Sequence, residues 1–291
     1  MHVFELVQWA GPTAFLFPLM LLGALAGAAV VAVQGLRGRD PLGWLALAPM
    51  SALVVLVVLN VDLGSIISLD AVAHASAESR QTLVAAGIST ALAGIVLGLG
   101  ALHLPGLALL VACAVVGARR PAGLGGAAAA MTLVLVATAC SVAGGLAAED
   151  TPLRALGVLV YGGLVVPSML GGERAHRLAG ATAACALPLL VAALEANAIA
   201  AGQIMTFEAV AHASMETKGA LMSAGLDMAG ASRNWGLVAV GCSLLVASIA
   251  CARAPRGGAA LFALACIAPL PLLLGADPLL RIMQLQFWGG F

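Results

Sequence analysis

The sequence predicts an all-α polytopic membrane protein of about eight transmembrane helices, arranged as two parallel four-helix repeats. Composition gives the class: 62% of the 291 residues are hydrophobic and 9% are charged, with a mean hydropathy of +1.09. A soluble surface needs roughly 25% charged residues. Apolar runs of about 20 residues recur along the chain, each sufficient to cross a hydrocarbon core of roughly 30 Å. An internal echo gives the repeat. Asp70-Ala-Val-Ala-His-Ala-Ser-Ala-Glu-Ser-Arg80 returns as Glu208-Ala-Val-Ala-His-Ala-Ser-Met-Glu-Thr-Lys218, offset by 138 residues. The register persists through Leu83/Leu221, Ala86/Ala224, Gly87/Gly225, Ala91/Ala229 and Ala93/Ala231, and upstream through Gly64/Gly202 and Ile66/Ile204. An echo of that length marks a duplicated unit.

Charged and Gly/Pro breaks divide the apolar runs into spans at about 11–34, 42–73, 81–118, 124–147, 152–171, 178–212, 218–252 and 258–275. The third is too long for one simple crossing. Pro105 is expected to kink it, with the far end projecting beyond the membrane or running along its surface. Splitting it there would give nine spans, but Gly106 to Ala118 is short for a crossing and the split breaks the repeat. The first repeat is therefore 1–121 together with 122–148. The second is 149–291, closing in an outer interfacial segment anchored by Phe287, Trp288 and Phe291.

Positive charge orients the eight spans. Arg37 and Arg39, Arg119 and Arg120, Arg174 and Arg177, and Arg253 and Arg256 fall on one side. Acidic residues dominate the other, with Asp70, Glu78, Glu149, Asp150, Glu208 and Glu216 against Arg80, Arg154, Lys218 and Arg281. The positive-inside rule then puts the arginine pairs in the cytoplasm and both termini outside. Four helices per half make both halves enter in the same direction, a parallel rather than inverted repeat. Abundant Ala and Gly in every span favour close helix packing in lipid.

Other classes find no support in the residues. Net charge is zero and no basic stripe with interleaved aromatics occurs, so nucleic acid is not an expected partner. The N-terminus holds Glu5 and no basic n-region, unlike a cleaved signal peptide. Cys113, Cys140, Cys185, Cys242, Cys251 and Cys266 all lie in apolar runs, without CxxC or zinc-like spacing, and read as small apolar filler. No Gly-x-Ser-x-Gly, His-Glu-x-x-His, phosphate-binding or dinucleotide fingerprint occurs, so neither an enzyme nor a cofactor or metal is expected.

After the first repeated loop the chain reads Gly87-Ile-Ser-Thr-Ala-Leu-Ala-Gly-Ile-Val-Leu-Gly-Leu99. This resembles the last core helix of the MotA/TolQ/ExbB family, whose pattern is roughly Gly-Ile-x-Glu-Ala-Leu-x-x-Thr-x-x-Gly-Leu followed by a proline. Gly87, Ile88, Ala91, Leu92, Gly98 and Leu99 match, and Pro105 follows one residue late. Gly64-Ser-Ile-Ile resembles the family's Gly-Thr-Val-x-Gly helix, with Ser68 replacing its second glycine, and Trp9-Ala-Gly-Pro resembles the start of its first. The second half keeps Gly225, Ala229, Gly236 and Leu237. The resemblance implies an ion-conducting subunit of a membrane motor, a homo- or hetero-oligomeric ring around a single-span MotB/TolR/ExbD-like partner, and membrane lipid as its medium. The family's acidic position falls on Thr90 and Met228, and its threonine on Ile95 and Arg233. Arg233 places positive charge where a cation would pass, which points to a non-conducting scaffold. The alternative is an ion or small-solute transporter with its path between the two repeats.

Five residues are ion-pathway candidates: Thr90, Asp62, Glu195, Asp227 and Arg233. Intramembrane charge costs about 2.5–3.5 kcal/mol at a helix centre on insertion scales, so each needs a partner or a purpose. Asp227 and Arg233, six apart, do not share a face, and Arg233 is expected to pair with Glu195 on the neighbouring helix. In the repeated outer loops, His74 with Glu78 and His212 with Glu216 read either as a metal or pH-sensing pair or as helix-capping turns. For capping, Ser76 and Ser79 would close one helix start and Ser214 and Thr217 the other, with the acids favouring the helix N-terminus. His103, beside Pro105, is expected to be packed or interfacial.

Overall fold

The computed structural model describes residues 13–74, 76–117, 173–212, 215–255 and 257–267. Among these, all regular structure is helical. A 3-10 turn, Ala14–Leu16, leads into α1 (Phe17–Leu36); then follow α2 (Trp44–Ala73), α3 (Ala77–Gly117), α4 (Arg174–His212), α5 (Met215–Arg253) and α6 (Gly258–Ile267). The expected spans 124–147 and 152–171, and the C-terminal interfacial segment, lie outside the described residues. Among the described residues, four stretches are long and apolar enough to cross a membrane: Ala14–Leu36, Trp44–Val61, Leu92–Gly117 and Arg174–Asn197. Leu237–Arg253 is a shorter apolar helix.

The ends of α1 show how local chemistry sets the boundaries. Pro18 sits in its first turn, where a missing N–H costs nothing. At the other end Gly38 adopts φ 70°, which allows the chain to reverse. Arg39 N–H reaches back to Gln34 O at 2.9 Å and Gly38 N–H to Gly35 O at 3.1 Å, the paired bonds of a Schellman stop. The Gln34 side chain then accepts from Leu42 N–H at 2.8 Å and closes the loop to α2.

Contacts at glycines fix the helix directions. Gly27 lies against Leu45 and Ala46, and Gly23 against Pro49, so α1 and α2 are antiparallel. A methyl group on Gly27 would run into the Leu45 carbonyl, which explains the glycine at this crossing. Phe17 meets α3 at Gly98 and Gly35 meets it at Val116, so α1 and α3 run parallel. Gly106 packs on Leu190 and Gly100 lies near Asn197, so α3 and α4 are antiparallel. It follows that α2 and α4 point the same way, and that the hairpins α2/α3 and α4/α5 turn at the same end.

The two hairpins also match in the sequence positions of their turns. Ala73 and Ala211, one residue short of the α4 end, are 138 residues apart, as are Ala77 and Met215, which open α3 and α5. Arg37, Arg39, Arg174 and Arg253 gather at the end opposite the turns, and all four are exposed. Asp40 of the α1–α2 loop meets Arg174 Nε at 2.8 Å, and Gly43 packs on Thr182, so this end of the first half is fastened to α4.

The 41-residue helix α3 is continuous through Pro105, and its stretch beyond Pro105 is packed against neighbouring helices. Leu109, Leu110, Cys113 and Val116 are buried there, against α1 and α4. At 1.5 Å per residue α3 is about 60 Å long, twice a hydrocarbon core. Since α1 accompanies it only from about Gly98 to Val116, the surplus length lies at the hairpin-turn end. The apolar run marked the length correctly; packing decides which end is covered.

Helix α4 is the hub. In an 18-residue apolar stretch within Arg174–Asn197, 94% of the residues are buried, against 28% in the corresponding stretch of Ala14–Leu36. Its alanines, Ala179, Ala181, Ala183, Ala184, Ala186, Ala192, Ala193 and Ala196 among them, let neighbours approach on all sides. The core is completed by Leu47, Met50 and Leu53 of α2 and Leu92, Leu99, Leu102 and Leu109 of α3. By contrast Leu19 and Leu22 of α1 and Val238, Leu245 and Ile249 of α5 face outward. An apolar rim around an apolar core fits a lipid surrounding better than water.

Candidate functional site: a buried polar belt

Several polar side chains lie at one level of the bundle, near the turn-side end of α1. Asn60 of α2 is 1% exposed and its Oδ1 accepts from Thr13 N–H and from Thr13 Oγ1, each at 3.0 Å. Thr13 Oγ1 also approaches Leu56 O at 3.3 Å. These bonds satisfy backbone and side-chain donors where the chain enters α1, before helical bonding begins. On α3, His103 is half-buried and its Nδ1 lies 3.0 Å from Gly100 O. Across from Gly100 is Asn197 of α4.

Glu195 stands beside this level and is fully buried at 0% exposure. It is not isolated, since it takes part in an interaction of its own. Asn197 and Gln203 are also buried, and their carbonyl oxygens Oδ1 and Oε1 have no hydrogen-bond partner. At about 100° per residue, Asn197 is about 200° and Gln203 about 80° around the helix from Glu195, so the three do not converge on one point. Within the belt, the Asn60–Thr13 bonds tie α2 to the start of α1 through polar contacts in an apolar setting. Among the described residues no three His, Cys, Asp or Glu side chains converge to hold a metal ion.

The remaining candidates are placed by their helices alone. Asp62 is on α2, Thr90 on α3, and Asp227 and Arg233 on α5; their side chains lie outside the described part of the structure. Counted along the chain from the hairpin turn, Glu195 is 17 residues before His212 and Arg233 is 18 after Met215.

At the turns, His74 is exposed and its Nδ1 lies 2.9 Å from Asp70 O, with the Asp70 carboxylate at 3.8 Å. This is a local contact at a helix end. Ser76 directly precedes α3, and Glu78 and Glu216 are the second residues of α3 and α5, where a carboxylate complements the helix dipole. The side chains of Glu78, His212 and Glu216 are outside the described part.

One pair escaped the sequence reading. Cys185 of α4 and Cys251 of α5 bring their sulfurs to 3.3 Å, although 66 residues separate them. No spacing rule links them, because the pairing depends on how far α4 and α5 slide along each other. No family model, curated protein or solved structure matches the chain.

Proposed function

We propose that the chain is a subunit of an ion-driven motor or energy-transducing complex of the bacterial inner membrane, resembling MotA/TolQ/ExbB, and that it serves there as a non-conducting scaffold. The observation that carries this reading is the pair of antiparallel hairpins, turned at the same end and opening their second helices 138 residues apart at Ala77 and Met215. The motifs that resemble the family lie on these hairpins, so one chain offers two family-like units side by side. The scaffold role rests on the replacements Thr90, Ile95, Met228 and Arg233, together with the enclosure of α4. An apolar stripe on α5, formed by Val238, Leu245 and Ile249, leaves a face for lipid or a neighbouring subunit.

The second reading, transport between the halves, draws on Glu195. It is a buried carboxylate on the helix where the halves meet, and intramembrane acids commonly mark ion paths. The first reading is preferred because the polar side chains of α4 point in different directions instead of lining one path.

The assembly separates the two. Extracted in native lipid and weighed by mass spectrometry, the complex should be a multi-subunit ring that retains a single-span protein. A monomer or simple dimer with no companion chain would remove the motor reading and leave the transporter.

A further inference from the structure

We propose that Cys185 and Cys251 are a redox site: a hydroperoxide converts them to a reversible disulfide that ties α4 to α5. The inference is independent of the motor reading. It begins with the 3.3 Å separation of the two sulfurs, on neighbouring helices of one hairpin. A disulfide needs about 2.05 Å between sulfurs, so the pair must close by about 1 Å, within the reach of side-chain rotation. Both thiols are free. A third, Cys266 of α6, is close enough to interact electrostatically with each.

Access and depth favour reaction over inert packing. Cys251 is half-buried and lies two residues before exposed Arg253, the last residue of α5. Cys185 is buried, and it lies about one turn beyond Thr182, which packs on Gly43 at the arginine-bearing end. The pair thus lies toward the arginine-bearing end of α5. A small neutral peroxide reaches such a depth; a charged oxidant does not.

The chemistry balances with hydrogen peroxide as the two-electron oxidant. The Cys251 sulfur, as thiolate, attacks one peroxide oxygen; the O–O bond breaks, and the departing hydroxide takes up the thiol proton as water. Cys251 is then a sulfenic acid. The Cys185 sulfur attacks it, the S–S bond forms, the S–O bond breaks, and the oxygen leaves as a second water with the Cys185 proton. Two thiols lose two electrons and one peroxide becomes two waters. A dithiol reductant reverses the bond by exchange.

The roles follow from exposure. Cys251 meets the oxidant first, and Cys185, shielded and adjacent, resolves it before further oxidation. The bond would fix the register of α4 against α5. Cys113 and Cys242 have no comparable neighbour among the described thiols.

The test uses the full-length protein in native-lipid discs. After hydrogen peroxide treatment, free thiols are alkylated and the digest is mapped without reduction. The expected result is loss of alkylation at Cys185 and Cys251 together, a Cys185–Cys251 cross-linked peptide as the dominant species, and recovery of both thiols with dithiothreitol. In Cys251→Ser the cross-link is lost, whereas Cys242→Ser retains it. The proposal is overturned if Cys251 goes to sulfinic acid without a cross-link, or if Cys266 or Cys242 is the preferred partner. The wild-type map decides this even if a variant folds poorly.

Discussion

Asn60 Oδ1 accepts two hydrogen bonds from Thr13, one from the backbone N–H and one from the hydroxyl, each at 3.0 Å. One amide oxygen thus ties the entrance of α1 to the middle of α2 across 47 residues of sequence. The Thr13 hydroxyl also has Leu56 O within 3.3 Å, so the backbone N–H is the donor that depends most on this oxygen.

Replacing Asn60 with leucine should therefore loosen α1. Leaving a buried donor unsatisfied costs about 1–3 kcal/mol. Unfolding of Asn60→Leu in detergent should be correspondingly easier, with hydrogen exchange rising first at the start of α1. Unchanged unfolding and exchange would show that the contact carries no weight.

Two glycines provide an internally controlled comparison. A Cβ at Gly27 collides with the backbone of Leu45 and Ala46, which cannot move aside cheaply, whereas one at Gly241 meets nothing within 4 Å. Gly27→Ala should destabilise by about 1–3 kcal/mol through overpacking. Gly241→Ala should be neutral or stabilising by up to about 1 kcal/mol from helix propensity. Equal effects in thermal unfolding would mean that the α1–α2 approach is looser than described.

The Asp40–Arg174 pair joins the halves at their arginine-rich end, yet both side chains are substantially exposed, at 42% and 59%. Exposed ion pairs contribute at most about 1 kcal/mol, and salt weakens them. Asp40→Asn should lower stability by less than that, with the difference shrinking in high salt. A large, salt-independent loss would assign the pair a structural role that its exposure does not explain.

Glu195 and Arg233 lie a similar number of residues from the α4–α5 turn along the chain, and Glu195 is fully buried. If they pair, breaking the pair from either side should cost about 3–5 kcal/mol, because each change strands a charge. Glu195→Gln and Arg233→Met should then each destabilise strongly, while the double variant recovers much of the loss. Simple additivity in that double-mutant cycle would separate the two residues.

Much of the helical framework was legible in the sequence because it depends on local runs and punctuation. The second run was expected at 42–73 and α2 is Trp44–Ala73; the sixth at 178–212 and α4 is Arg174–His212. The four extra residues at the start of α4 include Arg174 and Arg177, which bounded the apolar run although a helix continues through such residues in water. The echo at Asp70 and Glu208 located both turns for the same reason: helix-starting residues act locally. What remained hidden was tertiary. Nothing in its alanine content distinguishes α4 as the hub from other small-residue helices. Nor does any spacing reveal that Cys185 meets Cys251, or that the covered end of α3 is the one past Pro105. Those facts follow from which helix faces which neighbour, and at what height.

The central claim is that the two hairpins cross the membrane in the same sense, with their turns on one side and the arginine-bearing loops on the other. Single cysteines at Ser76, Thr217 and Arg39, placed one at a time in a cysteine-free background, test it by labelling intact cells with a membrane-impermeant maleimide. The account predicts that Ser76→Cys and Thr217→Cys label from outside and that Arg39→Cys labels only after the membrane is opened. Labelling of Ser76→Cys and Thr217→Cys from opposite sides would contradict it.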